Sequence, residues 1–191
     1  HKQSYNTLHR ILDTPTSTVK VGLAHHIIYF TKSGSFYSWF GLSNWLINDW
    51  LIKKIWHQCD FLGYNYYRSI GASSHTSDLS WEIYPEGLTK LMVKYSQKNN
   101  LPIYITENGI DTKDDTLREE YLRTHTQAIF DAKKQGAHIH GYFYWSLLDN
   151  FEWALGFKPK FGLIAVDRTT GNRLLKKSAY IYKKIINEAH N

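Results

Sequence analysis

Glu107 closes the segment Leu101-Pro-Ile-Tyr-Ile-Thr-Glu-Asn-Gly109. A short β-branched run followed at once by turn residues reads as a buried parallel strand whose last side chain is a carboxylate. The C-terminal end of such a strand is where α/β barrels carry catalytic groups. A second run, Gly141-Tyr-Phe-Tyr-Trp-Ser-Leu-Leu-Asp-Asn-Phe-Glu-Trp153, adds Trp145, Glu152 and Trp153. Indole faces suit sugar rings, and a carboxylate accepts paired hydrogen bonds from vicinal hydroxyls. Each residue also has a plainer reading, a solvated strand-end carboxylate for Glu107 and core packing for Trp145.

The elements that must position these residues alternate. Tyr5, Leu8 and Leu12 have helical spacing, ended by Asp13-Thr-Pro15. Strands are expected near Val19–His25, Phe61–Tyr67, Ile103–Glu107 and Gly141–Trp145. Ser43 is expected to cap a largely apolar helix running to about Trp56. Pro85 starts a helix carrying Leu88, Leu91, Met92 and Tyr95. Thr116 and Glu119 have capping-box spacing, and Gly136 closes that helix. Ser178 to Glu188 is the last helix. Four strands alternating with helices predict a parallel sheet with long connections at the strand ends, where function collects.

Composition narrows the class. The chain has 191 residues, 42% hydrophobic and 21% charged, the balance of one globular domain over 1–191. Its net charge of +6 is spread over helical faces without a dense basic run, so nucleic-acid binding is set aside. Cys59 is the only cysteine, which excludes an intrachain disulfide and points to a reducing, cytoplasmic setting. No apolar run is long enough for a membrane span. His25-His26 and His138-x-His140 lack a carboxylate or thiolate frame, so no metal and no cofactor is expected.

Several segments together resemble glycoside hydrolase family 1, the retaining β-glucosidase family. They are Asp60-Phe-Leu-Gly-Tyr-Asn-Tyr-Tyr67, Trp81-Glu-Ile-Tyr-Pro-Glu-Gly-Leu88, Ile105-Thr-Glu-Asn-Gly109, Gly141 through Trp153, Gly156-Phe-Lys-Pro-Lys-Phe-Gly162, Val166-Asp167 and Ser178-Ala-Tyr180. Their order and spacing match from about Val19 onward. The resemblance implies an α/β fold, a (β/α)8 TIM barrel of which this chain supplies about the C-terminal half, βα units 5 to 8. The family's acid/base glutamate lies in an Asn-Glu-Pro motif, and no such motif occurs in this sequence.

By resemblance, Glu107 is the nucleophile and Tyr67 the hydroxyl that hydrogen-bonds it. The same resemblance implies that Asn65, Trp145, Glu152, Trp153 and Phe161 contact the substrate. Glu152 and Trp153 resemble the pair that binds outer glucosyl hydroxyls, which argues against the phospho-sugar branch. Lys158 and Lys160 give that branch slight support. Leu23-Ala-His-His26 departs from the family, where an asparagine is common near the sugar. Retaining hydrolysis needs two carboxyl groups about 5 Å apart.

The reading is a β-glucosidase-like retaining hydrolase acting on terminal β-D-glycosyl residues, with the acid/base half outside this chain. Its rival is a non-catalytic half-barrel that binds sugar or pairs with a separate N-terminal half. Without general acid help, typically worth about 10²–10⁴-fold, the isolated chain is expected to be essentially inactive on aryl β-glucosides. Two open strand edges are expected to drive pairing with a complementary chain or self-association.

Overall fold

The computed structural model describes residues 1–31 and 37–189, with 37–40 described by their backbone alone. In chain order the helices are α1 (Lys2–Leu12), α2 (Tyr37–Asn44), α3 (Trp50–Ile55), α4 (Pro85–Asn99), α5 (Asp115–Lys134) and α6 (Lys177–Ala189). The strands are β1 (Gly22–Phe30), β2 (Phe61–Ile70), β3 (Ile103–Asn108), β4 (Ile139–Tyr144), and a short antiparallel pair, β5 (Ile164–Val166) and β6 (Arg173–Leu175). The first four strands form one sheet in the order β1-β2-β3-β4, parallel throughout. Within it, β1 and β4 are the outermost strands.

One face of this sheet is sealed by helices. Leu62, Tyr64 and Tyr66 of β2 alternate with Phe61, Gly63, Asn65 and Tyr67. The first set is fully buried and packs with Ile27, Ile103 and Ile105 against Ile52, Leu88, Met92, Tyr95 and Ile129. Each such aliphatic side chain contributes about 1.5–3 kcal/mol on full burial. The second set faces the opposite side, where Phe61 meets Tyr104 edge-on at 5.2 Å. A Cβ on Gly63 would stand 2.9 Å from the Thr106 methyl, so the residue there must be small.

Several expectations shift. β1 starts at Gly22 and runs on to Phe30, because Asp60 takes up the backbone of Val21: the Val21 N–H donates to its carboxylate (2.8 Å), and the Asp60 N–H donates to the Val21 carbonyl (2.8 Å). The helix expected from Ser43 begins at Tyr37 and passes through a π-helical turn, Trp45–Asp49, before α3. Ser43 is therefore interior and caps nothing. The wide turn points Asn48 inward, where it pairs with both backbone groups of Ile28 (3.0 and 2.7 Å). The N-cap of α5 is Asp114, whose carboxylate accepts from the Thr116 N–H at 2.9 Å, so the Thr116 box does not form. The β5–β6 ribbon has no counterpart among the expected strands.

α1 has no buried residue and is held by polar contacts. Tyr5 donates to Asp60 (3.1 Å), and His9 lies between Asp13 (2.9 Å) and Asp60 (3.0 Å). The Asp13 bond raises the His9 pKa above the ordinary 6.5; burial opposes this and Asp60 adds to it. The His9 bond lowers Asp13. At Asp60 burial acts upward, but bonds from Val21, Tyr5 and His9 outweigh it and lower the pKa. The histidine contribution is complete below 6.5 and is lost as pH rises through the raised value; the carboxylate contributions are lost as pH falls through the lowered ones. We therefore expect nuclear Overhauser contacts between the Tyr5 ring and the start of β2 to weaken above the His9 pKa. His9→Leu should abolish that pH dependence, and a pH-independent Tyr5 signal in the parent chain would count against the clamp.

Candidate active site

Strict strand alternation would send Glu107 to the wrong side. Ile103 and Ile105 are buried on the helix face, and the next side chain in that series is Glu107. The pairing with β2 steps from Tyr64↔Ile105 to Asn65↔Glu107, one residue against two. The extra residue is Thr106, and the β4 pairing carries the same slip between Ile105 and Asn108. This bulge puts Thr106 and Glu107 on the inner face together and returns Asn108 to the buried face.

There Glu107 accepts a hydrogen bond from the Tyr67 hydroxyl at 2.7 Å. Burial first, then that bond and the Glu107 charge, push the Tyr67 pKa far above its ordinary value, so the phenol remains a donor. Thr106 donates to Asn65 Oδ1 at 2.6 Å, which orients the amide beside the carboxylate. The Tyr67 ring stacks on His26 at 6.1 Å and meets Trp81 edge-on at 5.6 Å.

Behind Glu107, Asn108 is fully buried with all its side-chain groups engaged. Its Nδ2 donates to the Tyr66 carbonyl (2.6 Å) and the Tyr121 hydroxyl (2.8 Å), and its Oδ1 accepts from the Tyr142 hydroxyl (2.9 Å). One side chain thus ties β3 to β2, β4 and α5. Gly109 follows because the chain crosses the Trp145 carbonyl there; a Cβ would lie 1.7 Å from that oxygen. The Trp145 N–H donates to the Asn108 carbonyl at 2.9 Å, and the Trp145–Ser146 peptide is cis.

The loop after β4 carries Glu152 and Trp153. The Asn150 amide donates to Glu152 (2.6 Å), and the Glu152 charge adds slightly to the upward push on the Tyr67 pKa. Trp153 is 81% exposed, with φ +47°. Phe161 corrects an expectation. It is 1% exposed and packs edge-on to Tyr67 at 6.1 Å, so it backs Tyr67 and Trp81 and presents no open wall to a ligand. Lys160 turns its ammonium to the Phe157 carbonyl (3.1 Å).

Residues given no role in the sequence analysis hold this loop and the turn after β2. Asp149, 4% exposed, accepts from the Gly162 N–H (2.9 Å) and Lys176 (3.0 Å), and Arg168 donates to its carbonyl. Buried Arg118 donates to Asp115 (2.6 Å) and to the carbonyls of Lys160 (2.6 Å) and Thr112. Glu82 gathers the turn after β2 through Ser69 (2.7 Å), Gly71 (2.7 Å) and Ala72 (2.9 Å). Glu-Asn-Gly adjacency was the one sequence signal for Asn108; the partners of Asp149 and Glu82 lie at separations with no periodicity.

The histidine pairs do not converge. His25 contacts the Ile47 carbonyl (2.7 Å) on the helix side and His26 stacks on Tyr67 on the other. Among the described residues no cluster of three or more His, Cys, Asp or Glu is placed to hold a metal ion. No helix among them is long and apolar enough to cross a membrane.

The sequence profile of Glycosyl hydrolase family 1 matches residues 70–191. A chloroplastic galactolipid galactosyltransferase of Arabidopsis thaliana is 32% identical over 97% of this chain and 32% of its own. A beta-galactosidase of Saccharolobus solfataricus is 37% identical over 66% of this chain and 31% of its own. The solved beta-glycosidase from Pyrococcus horikoshii superposes with TM-score 0.87 at 30% identity, covering 97% of this chain and 50% of that one. The chain thus spans about half of the solved structure and about a third of these curated relatives. Its four βα units are a part of an α/β barrel.

Replacing Asn108 by Ala would leave the Tyr142 hydroxyl and the Tyr66 carbonyl without this partner in the core, while the Tyr121 hydroxyl keeps its bond to the Gly109 backbone. At roughly 1–3 kcal/mol for each orphaned group, urea unfolding of Asn108→Ala should show a loss of at least ~2 kcal/mol. A loss below about 1 kcal/mol would mean that Asn108 is not the tie described.

Proposed function

The chain belongs to glycosyl hydrolase family 1, and from that premise we propose that it carries the nucleophile half of a retaining β-glycosidase site. The observation that carries this reading is the Glu107 carboxylate at the C-terminal end of β3, hydrogen-bonded by Tyr67 at 2.7 Å. In this reading Glu107 attacks the anomeric carbon as the glycosidic bond breaks, forming a glycosyl ester. Tyr67 holds the attacking carboxylate in one orientation and donates to the oxygen that does not react. Asn65, Trp145, Glu152 and Trp153 grip the glycone, with Glu152 taking paired hydroxyls as Asn150 steadies it.

The second carboxyl group protonates the leaving oxygen and later activates water. These 191 residues have no Asn-Glu-Pro segment to supply it, so we propose that a complementary half-barrel, on the same polypeptide or on another, does so. The open edges of β1 and β4 are where such a partner would add its strands. A sugar hydroxyl in place of water would give glycosyl transfer, the reaction class in the name of the Arabidopsis relative.

The test uses a β-glucoside with an activated leaving group and a fluorine at C2, which slows turnover of the ester, read by peptide mass spectrometry. With a complementing half present, the adduct should sit on Glu107 and vanish in Glu107→Gln. Alone, the chain should turn over unactivated disaccharides more slowly by about 10²–10⁴-fold, the usual contribution of general acid catalysis. An adduct on another carboxylate, or full turnover in Glu107→Gln, would overturn the assignment. Light scattering on the chain, with and without the other half, reads the partner proposal directly.

A further inference from the structure

A second concavity lies on the opposite side of the sheet from Glu107. It has a volume of about 240 Å³ and lies between the π-helical turn with α3 and the end of α4. Trp45 and Trp56 supply indole walls and Tyr95 part of the floor; Asp49, Lys98 and Asn99 supply polar groups. Drug-sized ligand sites span roughly 300–1,000 Å³, so this one suits a single ring.

The site is built, not incidental. Asn48 locks the π-helical turn onto β1 through both backbone groups of Ile28, and the same turn delivers Trp45 and Asp49 to the cavity. Such turns gather at functional sites because the extra residue re-aims side chains. Asp49 is held from three directions, by Tyr95 (3.1 Å), Lys94 (3.1 Å) and Lys98 (3.5 Å). Below, Tyr64 stacks on Tyr95 at 4.9 Å, and its fully buried hydroxyl has no hydrogen-bond partner among the described residues. Trp45 is 43% exposed and makes no ring contact with a described neighbour.

We infer that this cavity is a second carbohydrate site, taking one neutral pyranose ring away from the catalytic face. The sugar's C–H face would lie on Trp45, as aromatic faces favour. Ring hydroxyls would accept from Lys98 and donate to the Asn99 carbonyl oxygen or to Asp49. Asp49 beside Lys53 and Lys98 gives the lining both signs of charge, which disfavours a wholly apolar guest. The choice of a sugar rests on the glycosidase reading above.

The full chain is titrated with methyl β-D-glucopyranoside while its seven indole N–H signals are followed by NMR. The Trp45 and Trp56 signals should shift saturably. Trp45→Ala and Lys98→Ala should each weaken binding by about three- to tenfold, with thermal melting as the check on folding. Glu107→Gln should leave these shifts unchanged. Shifts confined to Trp145 and Trp153 would overturn the second site while upholding the catalytic one. Tighter binding of a carboxylated aromatic than of the neutral glucoside would also overturn it. So would the absence of any saturable shift at Trp45; the adduct at Glu107 decides the catalytic reading independently.

Discussion

One inserted residue governs the site. Thr106 breaks the two-residue period of β3, so Glu107 leaves the buried series begun by Ile103 and Ile105 and meets Tyr67 at 2.7 Å. A carboxylate left in that series would lie among apolar side chains, where an unpaired charge is expensive. The bulge needs an anchor, since an unpaired residue weakens the ladder locally. Asn108 is that anchor. Its three hydrogen bonds to Tyr66, Tyr121 and Tyr142 fix the strand immediately after the bulge, and Gly109 lets the chain leave beneath the Trp145 carbonyl. The motif Thr-Glu-Asn-Gly reads physically as bulge, inner-face carboxylate, anchor and exit.

The other side of the site is held by charge. Asp149 and Lys176 meet at 3.0 Å with little exposure, and both also bond the backbone of Gly162. Burial, and then the Arg118 charge, lower the Lys176 pKa, while Asp149 acts in the opposite sense. A pair of this kind adds little net stability over an apolar replacement, but removing one partner alone strands the other. Its effect here is conformational. It fixes where the loop bearing Glu152 leaves β4 while leaving Trp153 largely in solvent.

The sequence carried the elements whose signals are local. The β-branched run before Glu107, proline at the start of α4 and glycine after α5 each gave an element near its true place. Tyr67 was legible through the family motif that runs along β2. What stayed hidden depends on contacts distant in sequence. β1 was displaced because Asp60, 39 residues from Val21, takes up the backbone there. The π-helical turn was unreadable because its cause, Asn48 against Ile28, is a tertiary contact. Phe161 has the right residue type for a wall, but the packing of Tyr67 and Trp81 encloses it. The short β5–β6 ribbon is three residues on each side, too brief for any period to show.

The bulge at Thr106 and the π-helical turn at Trp45–Asp49 share a property that bears on ancestry. Each is a single extra residue inside a regular element. Substitution changes what a position holds but not which side of the sheet it faces. No series of amino-acid replacements therefore carries the acid of β3 from one face to the other, whereas the gain or loss of one codon does so at once. Reading frames that differ by a single triplet here encode an inner-face carboxylate or a buried defect. Lineages descending from a common barrel should conserve the count of residues between Ile105 and Gly109 more strictly than the residues themselves.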